Sequence, residues 1–215
     1  MTATTLRDEM GVRDDPEFEM TLPPGWARRT PDAATMEDML ARMKSRLMEA
    51  HRPDVYGQLR AQVQQSFADM RKNGVFAMFV PEGSEEETLY LPVSMNASIR
   101  RADVGETLDQ VVATLVRSHG ATPLLADKRT IRCERQQPVQ IGSDTIISHS
   151  VLYLTPIPGA KRRRALQLVA GFGRPVDTPD DTPAFNAMRS LFDACVASVR
   201  WRAPEAPGAA RAASE

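Results

Sequence analysis

Residues 124–174 read LLADKRTIRCERQQPVQIGSDTIISHSVLYLTPIPGAKRRRALQLVAGFGR, and this stretch decides the fold. It divides into three long strands: Leu124 to Val139, Thr145 to Thr155 and Ala165 to Arg174. In the first, Ile131 and Cys133 share one face while Arg132 and Glu134 share the other, the period-two signature of a strand. Gly142-Ser143-Asp144 and Pro158-Gly159-Ala160 supply the turns. Connections this short join antiparallel neighbours. Pro175, Pro179 and Pro183 then interrupt the pattern. Thr182 with Pro183 at the first helical position opens a closing helix. Phe185, Met188, Phe192, Cys195 and Val199 form its apolar face, and Trp201 sits at its exit. A three-stranded meander with a helix across one face is a core to which the remaining chain is added.

Working toward the N-terminus, Thr107 and Gln110 form a capping box. The helix it starts carries Leu108, Val111, Val112 and Leu115 on one face and stops at Gly120. Before it, Leu89, Leu91, Val93, Met95, Ala97 and Ile99 alternate with polar residues. Pro92 removes a ladder donor, so this strand is expected at a sheet edge or with a bulge. An acidic turn, Pro81 to Glu87, separates it from the apolar strand Val75 to Val80. Two helices precede these strands. The first has Thr30 as cap and Pro31 at the first position, with a stripe of Met36, Met39, Leu40, Met43 and Leu47. Arg52-Pro53 breaks it. The second runs from about Asp54 to Lys72 with Val55, Leu59, Val63, Phe67 and Met70 as its stripe, closed by Asn73-Gly74. The short break folds the two into an antiparallel hairpin. Phe18, Met20 and Leu22 alternate in a short strand that Pro23-Pro24-Gly25 ends, and Trp26 plugs the rim of the core.

The predicted order is β-α-α-β-β-α-β-β-β-α. It predicts an α+β fold: a mainly antiparallel sheet flanked by helices, with the helical pair as an insertion. One domain is expected over residues 16–202, between mobile tails at 1–15 and 203–215.

At 215 residues with a net charge of -1, the chain has no global field to draw it to nucleic acid or an anionic membrane. No apolar run approaches the roughly 18 residues that span a bilayer. Residues 1–15 have no apolar core of a secretory signal, which makes the cytoplasm the expected compartment. Cys133 and Cys195 both fall on inward faces and are expected to be reduced, buried small residues.

No motif for catalysis, cofactor or metal stands out. His51, His119 and His149 have no metal-ligand spacing, and no G-x-S-x-G elbow occurs. His149 shares a strand face with Ile147, Val151 and Tyr153 and reads as a core or rim histidine. Asp177, Asp180 and Asp181 read as a solvated loop. Gly171 and Gly173 lie within a strand rather than before a helix, so a strand bulge is a better reading than a dinucleotide cradle. The sequence therefore predicts a non-enzyme without cofactor or metal.

Two groups are candidates for holding a protein partner. Lys161, Arg162, Arg163 and Arg164 form a basic cluster at a hairpin tip; they either dock an acidic partner or protect a soluble edge. Met36, Met39 and Met43 make the first helix unusually rich in methionine, whose flexibility suits a surface that accepts more than one apolar shape. They either pack on Leu59, Val63 and Phe67 or leave an apolar groove for a client helix.

A strand reading FEMTLPPGW from Phe18 to Trp26, a helical excursion, an antiparallel sheet, and a last helix ending in SVRW at Ser198 to Trp201 resemble the Mog1/PsbP-like superfamily, which includes the bacterial DUF1795 proteins. The resemblance implies an α/β/α sandwich. It also implies a cytoplasmic adaptor or chaperone-like protein-binding module, of the kind that serves a bacterial secretion system. It supplies no catalytic residues, and the helical pair at 31–73 is larger than a minimal member has. Two alternatives stay open. One is a small-ligand-binding protein or unrecognised enzyme with a pocket between the sheet and the helical pair. The other is an immunity-type protein that neutralises a toxin.

Overall fold

A computed structural model describes residues 16–49, 51, 53–82, 93–103, 105–125, 127–141, 144–159 and 163–202. In chain order the elements are β1 (Phe18–Glu19), β2 (Trp26–Arg29), α1 (Ala33–Glu49), α2 (Pro53–Lys72), β3 (Val75–Pro81), β4 (Val93–Arg101), α3 (Leu108–His119), β5 (Thr122–Leu124), β6 (Asp127–Ile141), β7 (Asp144–Pro156), β8 (Arg164–Pro175), α4 (Pro183–Ala197) and β9 (Arg200–Trp201). Seven strands form one sheet in the order β2-β3-β4-β8-β7-β6-β5, and β1 pairs with β9 in a separate ribbon. Every pairing is antiparallel. The fold is α+β, as the short turns of the meander require.

The strand register divides the sheet into two faces. Phe79, Met95, Ala170 and Val151 are cross-strand partners, as are Ala77, Ala97, Leu168 and Tyr153. These residues and α4 make the main core, in which Phe192 is fully buried and meets Trp26 edge-to-face at 6.4 Å. The β1–β9 ribbon closes the same face through Phe18, whose ring lies 6.3 Å from Phe76 and 6.2 Å from Trp201. The opposite face carries two separate clusters. Met78 and Val80 receive Phe67 of α2, and Leu154 and Ala165 receive Leu108 and Val111 of α3.

Local signals place the helices. The Thr107–Gln110 capping box is formed, and Gly120 caps α3 in the left-handed conformation. Thr182 accepts from the Phe185 N–H at the start of α4. Cys133 and Cys195 are buried and free, on opposite faces of the sheet. The cap of α1, however, is Asp32, whose carboxylate accepts from the Thr35 N–H at 2.8 Å; Thr30 is not the cap. The reason is tertiary. Trp26–Arg29 is drawn into the sheet beside β3 as β2, so the chain is still extended one residue before Thr30.

Other expectations are corrected by the pairing. The first meander strand does not begin at Leu124, which ends β5; the chain turns at Leu125, a residue with φ of 51°, before β6 starts. β4 is not an edge strand, since β3 and β8 flank it, and its register shift lies opposite Val75/Ala77. Gly171 and Gly173 form no bulge, because β8 runs in unbroken register with both neighbours. A Cβ at Gly173 would meet the Ile146 Cδ1 at 2.9 Å, so the missing side chain makes room for a neighbour. Val199 lies past the end of α4 but still packs on the main core. Both tails, Glu85 to Glu87 of the acidic turn, the alternating run from Leu89 to Pro92, Arg52, Gly142-Ser143 and Ala160 lie outside the described residues.

Candidate functional site

The two face clusters leave the central strands between them uncovered. The α1/α2 hairpin rests on β3, and α3 rests toward β6 and β7. Facing the space beside the hairpin are Ser94, Asn96 and Ser98 of β4 and Gln167 and Val169 of β8. The result is a groove of about 1050 Å³ between the hairpin and the sheet. Its walls are Met39, Met43 and Leu47 from α1 and Leu59, Val63 and Met70 from α2. Its floor mixes the polar groups of β4 and β8 with Val75, Met78, Val80 and Val169 and carries no charge, while Arg42, Arg46 and Asp69 stand on the helix walls.

The helices show why the groove exists. Only Leu40 of α1 and Phe67 of α2 are buried; the rest of both stripes is half-buried at most, and Met48 is 42% exposed. An ordinary surface helix buries its apolar face, which contributes about 1.5–3 kcal/mol for each fully covered large side chain. Here most of a stripe of helical spacing stays only half-covered. The three methionines separate accordingly. Met36 packs on the Phe67–Met78–Val80 cluster and does not line the groove, Met39 does both, and Met43 lines the groove only.

The floor has its own signature. The Ser98 hydroxyl is buried and accepts from the Gln167 amide at 3.3 Å. The neighbouring Asn96 Oδ1 is shielded from solvent and has no hydrogen-bond partner. An unmet buried acceptor costs about 1–3 kcal/mol, so a donor brought into the groove would meet a prepared site. These floor residues were read from sequence only as the polar side of an alternating strand. The signal lay in their type: three small uncharged residues where a solvent-facing row ordinarily carries lysine or glutamate.

The basic cluster is placed in part. Lys161 and Arg162 lie outside the described residues; Arg163 is exposed and Arg164 is half-buried at the start of β8. The register adds what the sequence did not bring together. Arg101 stands directly opposite Arg164, Arg100 stands opposite Ala165, and the Ala102 N–H donates to the Arg163 carbonyl.

A second polar group lies under α4. Arg189 donates to Glu134 at 2.7 Å, and Arg132 bridges Glu134 and Asp193 at 2.9 Å each. The Tyr153 hydroxyl donates to Asp193 at 2.6 Å. His149 is fully buried, stacks on Phe172 at 4.8 Å, and accepts at Nε2 from Arg174 at 2.8 Å. Its Nδ1 faces Glu134 at 3.8 Å without a hydrogen bond. Burial, together with the charges of Arg174 and Arg189, holds the His149 pKa down and keeps the ring neutral. Burial alone would raise the Glu134 carboxyl, but hydrogen bonds from Arg189 and Arg132 overcome it and hold the pKa below the usual range. Asp180 is not simply a solvated loop residue: it accepts from Gln136 at 2.8 Å, and its carbonyl accepts from Arg189. Apart from the His149 Nδ1, each acid and base here is occupied by a partner, and the group clamps α4 to the sheet. His149 is the core histidine the strand pattern predicts.

Among the described residues, no group of three or more His, Cys, Asp or Glu could hold a metal ion, and no helix is long and apolar enough to cross a membrane. Compared with known proteins, the chain matches no protein-family model and no curated protein.

Proposed function

We propose that this chain is a non-enzymatic adaptor or chaperone-like module of Mog1/PsbP-like fold, and that it holds an apolar segment of a client protein in the groove between the α1/α2 hairpin and the sheet. One observation carries the reading: two long helices bury a single large side chain each and leave Met39, Met43, Leu47, Leu59 and Val63 along an open groove. Methionine is suited to such a wall because its three rotatable bonds let it adapt to different apolar shapes. The clamp under α4 supports the non-enzymatic part, since its carboxylates are held by arginines and the His149 Nε2 is held by Arg174.

The double variant Met39→Gln/Met43→Gln tests the reading in the native host. Client capture should be lost while the melting temperature moves little, because Phe67, Met78 and Val80 still anchor the hairpin. Retained capture would remove the groove from the account. A small apolar ligand with a hydrogen-bond donor is the second reading, favoured by the unmet Asn96 acceptor. Native mass spectrometry of the purified protein separates the two, since a bound small molecule appears as a discrete adduct.

A further inference from the structure

The groove is electrostatically lopsided. At the end near the β3 C-terminus, Glu82 is paired with both Arg29 and Arg42, and Arg42 is also paired with Asp38. Positive charge there is cancelled. The other end is different. Ser94, Asn96 and Ser98 face the groove, and the next residue on that face of β4 is Arg100. Arg163 lies beside it, while the directly opposed pair Arg101 and Arg164 belongs to the other face of the sheet. Ser98 pairs with Val75, which follows the end of α2, so Arg71 and Lys72 border this end together with Asp69, which lines the groove and accepts from Gln65.

Among the described residues, Arg100, Arg101 and Arg163 make no ion pair. A chain of net charge -1 with 28 acidic residues has ample means to neutralise such a cluster, as it does at Glu82. Among the described residues it leaves Arg100 and Arg163 without an ion pair, just past the Ser98 end of the groove.

We infer that the client segment is an amphipathic helix with an acidic end, seated so that its apolar face meets Met39, Met43 and Leu59 and its carboxylates reach Arg100 and Arg163. The inference rests on the groove being the client site and adds the chemistry and direction of what occupies it. From Ser94 to Arg100 is six residues of extended chain, about 20 Å. A helix of that length has about 13 residues. The apolar wall supplies affinity and the arginines supply orientation, because exposed charge pairs contribute less than about 1 kcal/mol each but act only at one end.

Two labelled peptides test this with the full chain. Both carry the same helix of about 14 residues, with a leucine face and a neutral polar face; one ends in glutamates and the other in lysines. Anisotropy titrations should show the acidic peptide binding about tenfold more tightly, ~1.4 kcal/mol. The difference should collapse at high salt, where exposed charges are screened. It should also collapse in Arg100→Glu/Arg163→Glu, whose sites are exposed and leave the fold intact by circular dichroism. Met39→Gln/Met43→Gln should weaken both peptides alike. Equal binding of the two peptides to wild type, with both lost in the methionine variant, would overturn the acidic end and leave the groove standing. Failure of both peptides to bind would overturn the groove and this inference together. Acidic-peptide binding that ignores the methionine variant would separate the arginines from the groove and overturn the seating.

Discussion

His149 makes a prediction that can be worked through from its contacts. The ring is fully buried, stacks on Phe172 and takes a hydrogen bond from Arg174 on Nε2. A protonated ring has no lone pair for that bond and would place a third cation beside Arg174 and Arg189. Its pKa in the folded state is therefore held below the ordinary 6.5, by burial first and by those two charges second. The unfolded chain thus binds more protons than the folded one in the window below pH 6.5. Stability is full above 6.5 and is lost as pH falls from there toward the depressed folded value. One full proton of difference lowers stability by ~1.4 kcal/mol per pH unit. Glu134 adds a second loss at lower pH: its folded pKa lies below 4.5, so its stabilisation is present above 4.5 and disappears as pH falls through the folded value. The assay is urea denaturation at a series of pH values for wild type and His149→Gln. Glutamine can still accept from Arg174 but does not titrate. The variant should start less stable, having lost the ring stack, and should show a shallower decline below pH 6.5. Parallel declines in the two proteins would refute the neutral, arginine-held histidine.

Phe192→Ala should cost about 3–5 kcal/mol, the usual range for a fully buried aromatic. In a domain of this size that lowers the melting temperature by roughly 6–20 °C, and an unchanged melt would show that the buried face of α4 is misassigned. Gly173→Ala should cost about 1 kcal/mol, because the new Cβ meets the end of the Ile146 side chain. Ile146→Val removes that methyl, so the double variant should recover most of the loss in a double-mutant cycle; additive losses would contradict the contact.

The sequence was most legible where structure is local. The capping box of Thr107 and Gln110, the Thr182–Pro183 start of α4 and the stop at Gly74 each depend on residues within one helical turn. The meander was legible because its turns force neighbouring pairings. β2 was missed because Trp26–Arg29 has no apolar alternation and becomes a strand only by pairing with residues 78–81, some fifty positions away. The same non-locality hid the interior position of β4, and with it the groove floor. Arg132 and Glu134 were read correctly as one face, but their partners Asp193 and Arg189 lie 61 and 55 positions away. A polar strand face therefore gave no sign that a helix covers it. Of the candidate site, the methionine stripe was visible from its spacing. Arg100 and Arg101 joined the basic cluster only through the β4–β8 register.

Site-specific photo-cross-linking tests the client groove most directly. A photoreactive residue replaces Met43, which lines the groove, or Val116, a 45% exposed residue on α3 away from it. Both proteins are expressed in the native host, and cross-linked peptides are mapped by mass spectrometry. The account predicts one amphipathic client segment cross-linked from position 43 and absent from position 116. The same client captured equally from both positions, or from position 116 alone, would contradict it.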